Sequence, residues 1–137
     1  MQGRLEILVR AGLRLTAVEL SLRWFGVGST QCWLLSRPTL PPVAGEPAVW
    51  AADLTWVVAA VARWSPLRPA CLSRSLTLWS LLREAGIRSR VCLGARQGPA
   101  GLLAHAWVEL DGRVLNDNPS VARRFTPLGP ARSRATR

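Results

Sequence analysis

From Leu103 to Leu110 the side chains alternate in direction, and the run ends at Asp111-Gly112. Ala104, Ala106, Val108 and Leu110 share one face; Leu103, His105, Trp107 and Glu109 share the other. A period of two with one wholly apolar face belongs to a strand packed on a core. An Asp-Gly pair directly after it returns the chain into an antiparallel partner, read as Arg113–Asp117. Arg90–Ala95 reads as another strand, joined to this one by a glycine-containing loop. The preceding half of the chain has a helical period instead. Residues 4–25 repeat Leu5, Leu8, Leu15, Val18 and Leu22 at helical spacing. A second helix runs from Pro47 to Arg63, after a proline- and glycine-rich connector over 36–47. Pro66 and Pro69 then break the chain before a third, Cys71 to Ala85, closed by Gly86 and striped by Leu72, Leu76, Trp79 and Leu82. Helices first and a small antiparallel sheet after them define an α+β domain.

A chain of 137 residues, 49% hydrophobic, builds one core and has no room for a second. Its formal charge is +10, and all 18 basic residues are arginine. Such a field attracts an acidic peptide, a nucleic acid or an anionic surface. The arginines are spread along the chain and accompany no nucleic-acid motif, so no nucleic-acid partner is expected. Arg10, Arg14 and Arg23 interrupt the first helix, and the apolar stretch Leu54–Ala62 is too short to span a bilayer, so no transmembrane segment is expected. Three cysteines without a CxxC pair, a single histidine and no signal-peptide pattern speak against a disulfide framework or a zinc site. No cofactor or metal and a reducing, cytoplasmic setting are expected.

Cys71 stands where a coil ends and a helix begins. The unpaired N–H groups and the positive end of the helix dipole there favour a thiolate and can hold an oxyanion. A small buried cysteine is the plain alternative, since most cysteines outside disulfides are just that. His105, the only histidine, lies beside Trp107 on the second face of its strand. The hairpin register decides what faces it. With Asp111-Gly112 as a two-residue turn, Leu110 faces Arg113, His105 faces Asn118, and Asp117 points away; Asn116 or Asn118 is then the candidate partner. With Leu110-Asp111-Gly112 as a three-residue loop and a glycine bulge, Glu109 faces Arg113 and His105 faces Asp117. The second register is the one expected, because aspartate is comfortable in the turn and Gly112 takes the positive φ; it sets a carboxylate beside the imidazole, an arrangement that fixes the tautomer.

The segments RPACLSRSLTLWSLLREAGIRSRVCLGAR and AHAWVELDGRVLND resemble the transglutaminase-like leader peptidases of bacterial lasso-peptide biosynthesis, the split B-protein proteases. The likeness runs from Pro69 to Asn118 and is weaker in the helical N-terminal half. Its motif is Cys-Leu-x-Arg-x-Leu opening a helix, then His-Ala-Trp-Val-Glu before a turn and an Asn-Asp pair. The resemblance implies a papain- or transglutaminase-like core with Cys71, His105 and Asp117 as catalytic triad. Arg74 matches the motif too, as a substrate-binding or structural group beside Trp107 and Asn116. It further implies removal of the leader from a ribosomally made precursor. A separate leader-recognition protein delivers that leader peptide, and an ATP-dependent lasso cyclase follows. Residues 1–65 are then a helical docking part, 66–120 the catalytic core and 121–137 a basic, mobile tail. Cys92 is expected in the core and Cys32 has no assigned role. Trp50, Trp56, Trp64 and Trp79 are expected to fill the core, and Trp107 to border the site.

Overall fold

A computed structural model describes residues 3–39 and 45–128. The elements are α1 (Arg4–Leu35), α2 (Pro47–Trp64), α3 (Cys71–Glu84), β1 (Arg90–Gly98), β2 (Gly101–Leu110), β3 (Arg113–Val114), α4 (Val121–Arg124) and β4 (Thr126–Pro127). The four strands form an antiparallel sheet in the order β3-β2-β1-β4. The architecture is α+β, as the order of periodicities dictates. Gly26 ends the first helical run expected, at φ +84, and a second run continues to Leu35. Thr30 bridges this break, donating to the Gly26 carbonyl at 2.8 Å and meeting the Ser21 hydroxyl at 2.6 Å. Cys32 lies on this second run and is exposed.

The helix α3 occupies the middle of the fold, between α1, α2 and the apolar face of the sheet. Leu78, Leu82 and Val108 are buried together with Ala51, Val58 and Ala11. The helix is buried on its hydroxyl-bearing side as well: Ser73, Ser75, Thr77 and Ser80 are all inaccessible. Each of them is satisfied, Thr77 by the Ser73 carbonyl at 2.7 Å and Ser80 by the Thr77 carbonyl at 2.9 Å. At its C-terminus Gly86 takes φ +78, and the Ile87 N–H returns to the Leu82 carbonyl at 2.9 Å. The tryptophans divide. Trp50 and Trp79 pack against the core, whereas Trp56 and Trp64, eight residues apart on one face of α2, point to solvent.

One buried carboxylate gathers three arginines. Glu84 on α3 pairs with Arg14 and Arg10 of α1 and with Arg37 beyond it. Arg14 is itself buried and also donates to Ser80 at 3.0 Å. Burial pushes the Glu84 carboxyl up, but the hydrogen bonds and charges of Arg14 and Arg37 outweigh it and hold the group below its ordinary value.

Candidate active site

Cys71 is the first residue of α3. Ala70 caps the helix without a side-chain hydrogen bond, and the first helical bond is from the Arg74 N–H to the Ala70 carbonyl at 3.1 Å. The N–H groups of Cys71, Leu72 and Ser73 are thus unspent within the helix. The first half of α1 fixes this entry point. Arg23 donates to the Leu67 carbonyl at 3.2 Å and pairs with Glu19 at 2.8 Å, and Glu19 accepts from the Ser73 hydroxyl. Arg68, at φ +49, turns the intervening loop toward the helix.

His105 lies on β2 opposite Gly94 of β1. Its Nε2 is hydrogen-bonded to Asp117 Oδ2, while Oδ1 accepts from the Asn118 N–H at 2.7 Å. That bond leaves Nδ1 as the ring nitrogen open to a thiol. Burial pushes the Asp117 carboxyl up. The bonds from His105 and Asn118, with the charges of His105 and Arg124, prevail and lower it. Cys71, His105 and Asp117 line a single cleft, closed on one side by Thr55 and Ala59 of α2.

An aromatic backing fixes the imidazole plane. Phe125 stacks on His105 with ring centres 5.1 Å apart, and Trp107 follows at 6.1 Å. Gly94 makes this possible: a Cβ there would stand 2.6 Å from the Phe125 Cβ and 3.0 Å from the Trp107 ring. Gly94→Ala is therefore expected to push Phe125 off the imidazole at a cost of about 1–3 kcal/mol. Thermal unfolding checks it, with Tm expected to fall by roughly 5 °C.

The hairpin register differs from the expected one. Asp111 (φ +50) and Gly112 (φ +80) form a two-residue turn, pairing Leu110 with Arg113 and Glu109 with Val114. Positive φ at both central positions matches the strand twist, which a three-residue loop here would not improve. Glu109 accordingly pairs across to Arg90 of β1 at 3.0 Å, not to Arg113. In this register a continuous third strand would carry Asp117 away from His105. It does not, because β3 stops at Val114 and the expected strand to Asp117 is not formed. The Leu115 N–H still reaches the Val108 carbonyl, and then the Asn116 side chain steps into the ladder, its Oδ1 accepting from the Val108 N–H at 2.8 Å. The chain leaves the sheet there, and Asp117 arrives beside the histidine.

Asn116 also donates from Nδ2 to the fully buried Ser75 hydroxyl at 3.0 Å. It is a strut between the cysteine helix and the histidine strand. Asn116→Ala is expected to strand the Ser75 hydroxyl and the Val108 N–H, destabilising by about 1–3 kcal/mol. Urea midpoints for this variant and for Ser75→Ala, which should cost less, check the assignment.

Arg74 lines the cleft and is exposed. Trp107 does not border it: the residue is 3% exposed, stacks on His105 and donates to Glu109 at 2.9 Å. Burial pushes the Glu109 carboxyl up, and the bonds from Trp107 and Arg90 bring it below its ordinary value. Cys92 is half-buried opposite Trp107. Phe125 was missed because it sits in an arginine-rich run that reads as tail. The chain expected to be mobile from 121 instead forms α4 and β4, which pairs with Gly94 and Ala95. Residues 129–137 of that tail lie outside the described residues.

A cysteine at the start of a central helix, sharing a cleft with a strand histidine that a carboxylate holds, is the framework of thiol enzymes that pass through an acyl intermediate. The chain belongs to the transglutaminase-like superfamily, whose core model matches residues 12–129. That superfamily consists mostly of cysteine peptidases and acyltransferases. No curated protein and no solved structure matches the chain. Among the described residues no helix is long and apolar enough to cross a membrane.

Proposed function

We propose that the chain is a cysteine peptidase that removes the leader from a ribosomally made lasso-peptide precursor in a reducing cytoplasm. A separate leader-recognition protein delivers the substrate, and an ATP-dependent cyclase uses the freed amine. One observation carries the chemistry: Cys71 at a helix start shares a cleft with His105, whose Nε2 is held by Asp117. The motifs around Cys71 and His105 support the choice of substrate.

His105, through Nδ1, takes the Cys71 proton, and the sulfur bonds to the carbonyl carbon at the leader–core junction. The oxyanion is received by the Cys71 N–H, unspent at the helix start. His105 then protonates the core nitrogen as the C–N bond breaks, leaving a thioester on Cys71. Water, deprotonated by His105, attacks that thioester and releases the leader as a carboxylic acid. Asp117 stays ionised throughout and stabilises the imidazolium.

The superfamily also holds acyltransferases, in which an amine replaces that water. Mass analysis of a precursor incubated with the protein and its leader-binding partner in heavy-oxygen water separates the two. Hydrolysis puts one heavy oxygen on the new leader carboxylate, whereas a leader-amine adduct makes the chain a transferase. An uncut precursor in the presence of the partner sinks the peptidase reading.

A further inference from the structure

The cleft holds three ionisable groups besides the thiol, and two of them are committed to each other. Asp117 is engaged by His105 and by the Asn118 N–H. The third is Arg74, three residues after Cys71 and therefore on the same side of α3. It has no ion pair or side-chain hydrogen bond among the described residues, although arginines elsewhere in the fold readily find carboxylates. Arg10, Arg14 and Arg37 meet Glu84, Arg23 meets Glu19, and Arg90 meets Glu109. Around the histidine the field is positive as well. Arg96 lies 5.4 Å over the Phe125 ring that backs His105, and the charge of Arg124 acts on Asp117.

We propose that Arg74 is a carboxylate subsite, so that the cleft takes acyl donors carrying an acidic side chain close to the scissile carbonyl. This rests on the thiol-acyl chemistry proposed above and names the class of peptide it acts on. Three residues of helix, a rise of about 4.5 Å, separate Arg74 from the nucleophile. An extended substrate advances about 3.3 Å per residue, so the acidic side chain lies within two residues of the cut. The planar guanidinium receives it through two parallel N–H bonds, a geometry lysine lacks. Asp117 is held by His105 and the Asn118 N–H and forms no ion pair with Arg74.

Two alkylating reagents of the same reactive group and different charge read this field directly. Wild type, Arg74→Gln and Arg74→Lys are treated with iodoacetate or iodoacetamide, and modification is followed at each cysteine by peptide mass spectrometry. Cys32, exposed on α1, is the internal reference. The iodoacetate-to-iodoacetamide rate ratio at Cys71 is expected to fall about fivefold in Arg74→Gln and to persist in Arg74→Lys, with Cys32 unchanged. Glutamine is as good a helix former as arginine at this exposed site, so the fold is kept. Peptides spanning a cleaved junction, with Glu or Gln in turn at the two positions on either side, supply the second readout. At one position Glu should raise kcat/KM about tenfold in wild type and not in Arg74→Gln, with Arg74→Lys recovering part of it. An unchanged alkylation ratio, or indifference to Glu at all four positions, overturns the subsite. If no peptide is cut, or cutting survives Cys71→Ala, the peptidase reading fails and the alkylation ratio alone decides the role of Arg74.

Discussion

Cys71→Ala is expected to reduce leader cleavage to background, a loss of at least about 10³-fold in kcat/KM, with no loss of stability. Alanine suits the first position of a helix, and the half-buried thiol leaves little void behind it. His105→Ala should match that loss, because without the base the thiol has neither a proton acceptor on attack nor a donor for the leaving nitrogen. The two effects act on one step, so the double variant should be no slower than either single one. Chromatography of the cleaved precursor gives the rates, and a thermal melt confirms that each variant is folded. Turnover by Cys71→Ala would remove the cysteine from the mechanism whatever the geometry of the cleft.

The largest stability effect should come from a residue far from the chemistry. Glu84→Ala removes the carboxylate shared by Arg10, Arg14 and Arg37. Arg10 and Arg37 are partly exposed and return to solvent, but Arg14 is buried and keeps only Ser80. An unpaired buried charge costs about 3–5 kcal/mol, a large share of the 5–15 kcal/mol typical of a domain. Glu84→Gln retains an acceptor oxygen and should lose less. The same pair gives the acid limit its direction. The carboxyls of Glu84 and Asp117 both lie below their ordinary values in the folded state, so the unfolded chain binds protons first. Their contribution is complete above the ordinary values of 4.5 and 3.8 and is lost as pH falls through the lowered ones. Urea midpoints measured from pH 6 downward should fall below about pH 4.5, and more gently in Glu84→Gln.

The helical half and the cysteine's place were legible because both rest on local signals. Pro66 and Pro69 set the start of α3, Gly86 its end, and the stripe from Leu72 to Leu82 its inner face. Asp117 meets the histidine, but not through the register expected. Counting along a strand assumes that pairing continues, and nothing local announces that the Asn116 amide will replace a backbone group and end it. That is a tertiary choice, made because Ser75 on α3 waits for the amide's other end. Phe125 was hidden differently. Arg123 and Arg124 give its surroundings the composition of a solvated tail, and only the contact with His105 and the space over Gly94 explain an aromatic there. Trp107 was assigned by face alone. The outer face of the sheet is covered near Glu109 and open near Leu103, a gradient that alternation does not encode.

The neighbours of β2 are shorter than β2 itself. β3 pairs only with Glu109 and Leu110, and Val108 turns both its N–H and its carbonyl to that side. By strand alternation Ala106, Ala104 and Leu102 turn theirs the same way, past the point where β3 has ended. A row of backbone donors and acceptors thus runs outward from the cleft, beside Leu102 and Leu103, which are 71% and 42% exposed. Such a row is a template for another strand, and proteins commonly blunt it with a bulge, a proline or a lysine. Here like charge takes that part: copies carrying +10 each repel before their edges meet. Concentrated salt, by screening that repulsion, should make the protein associate through the hairpin that carries its histidine.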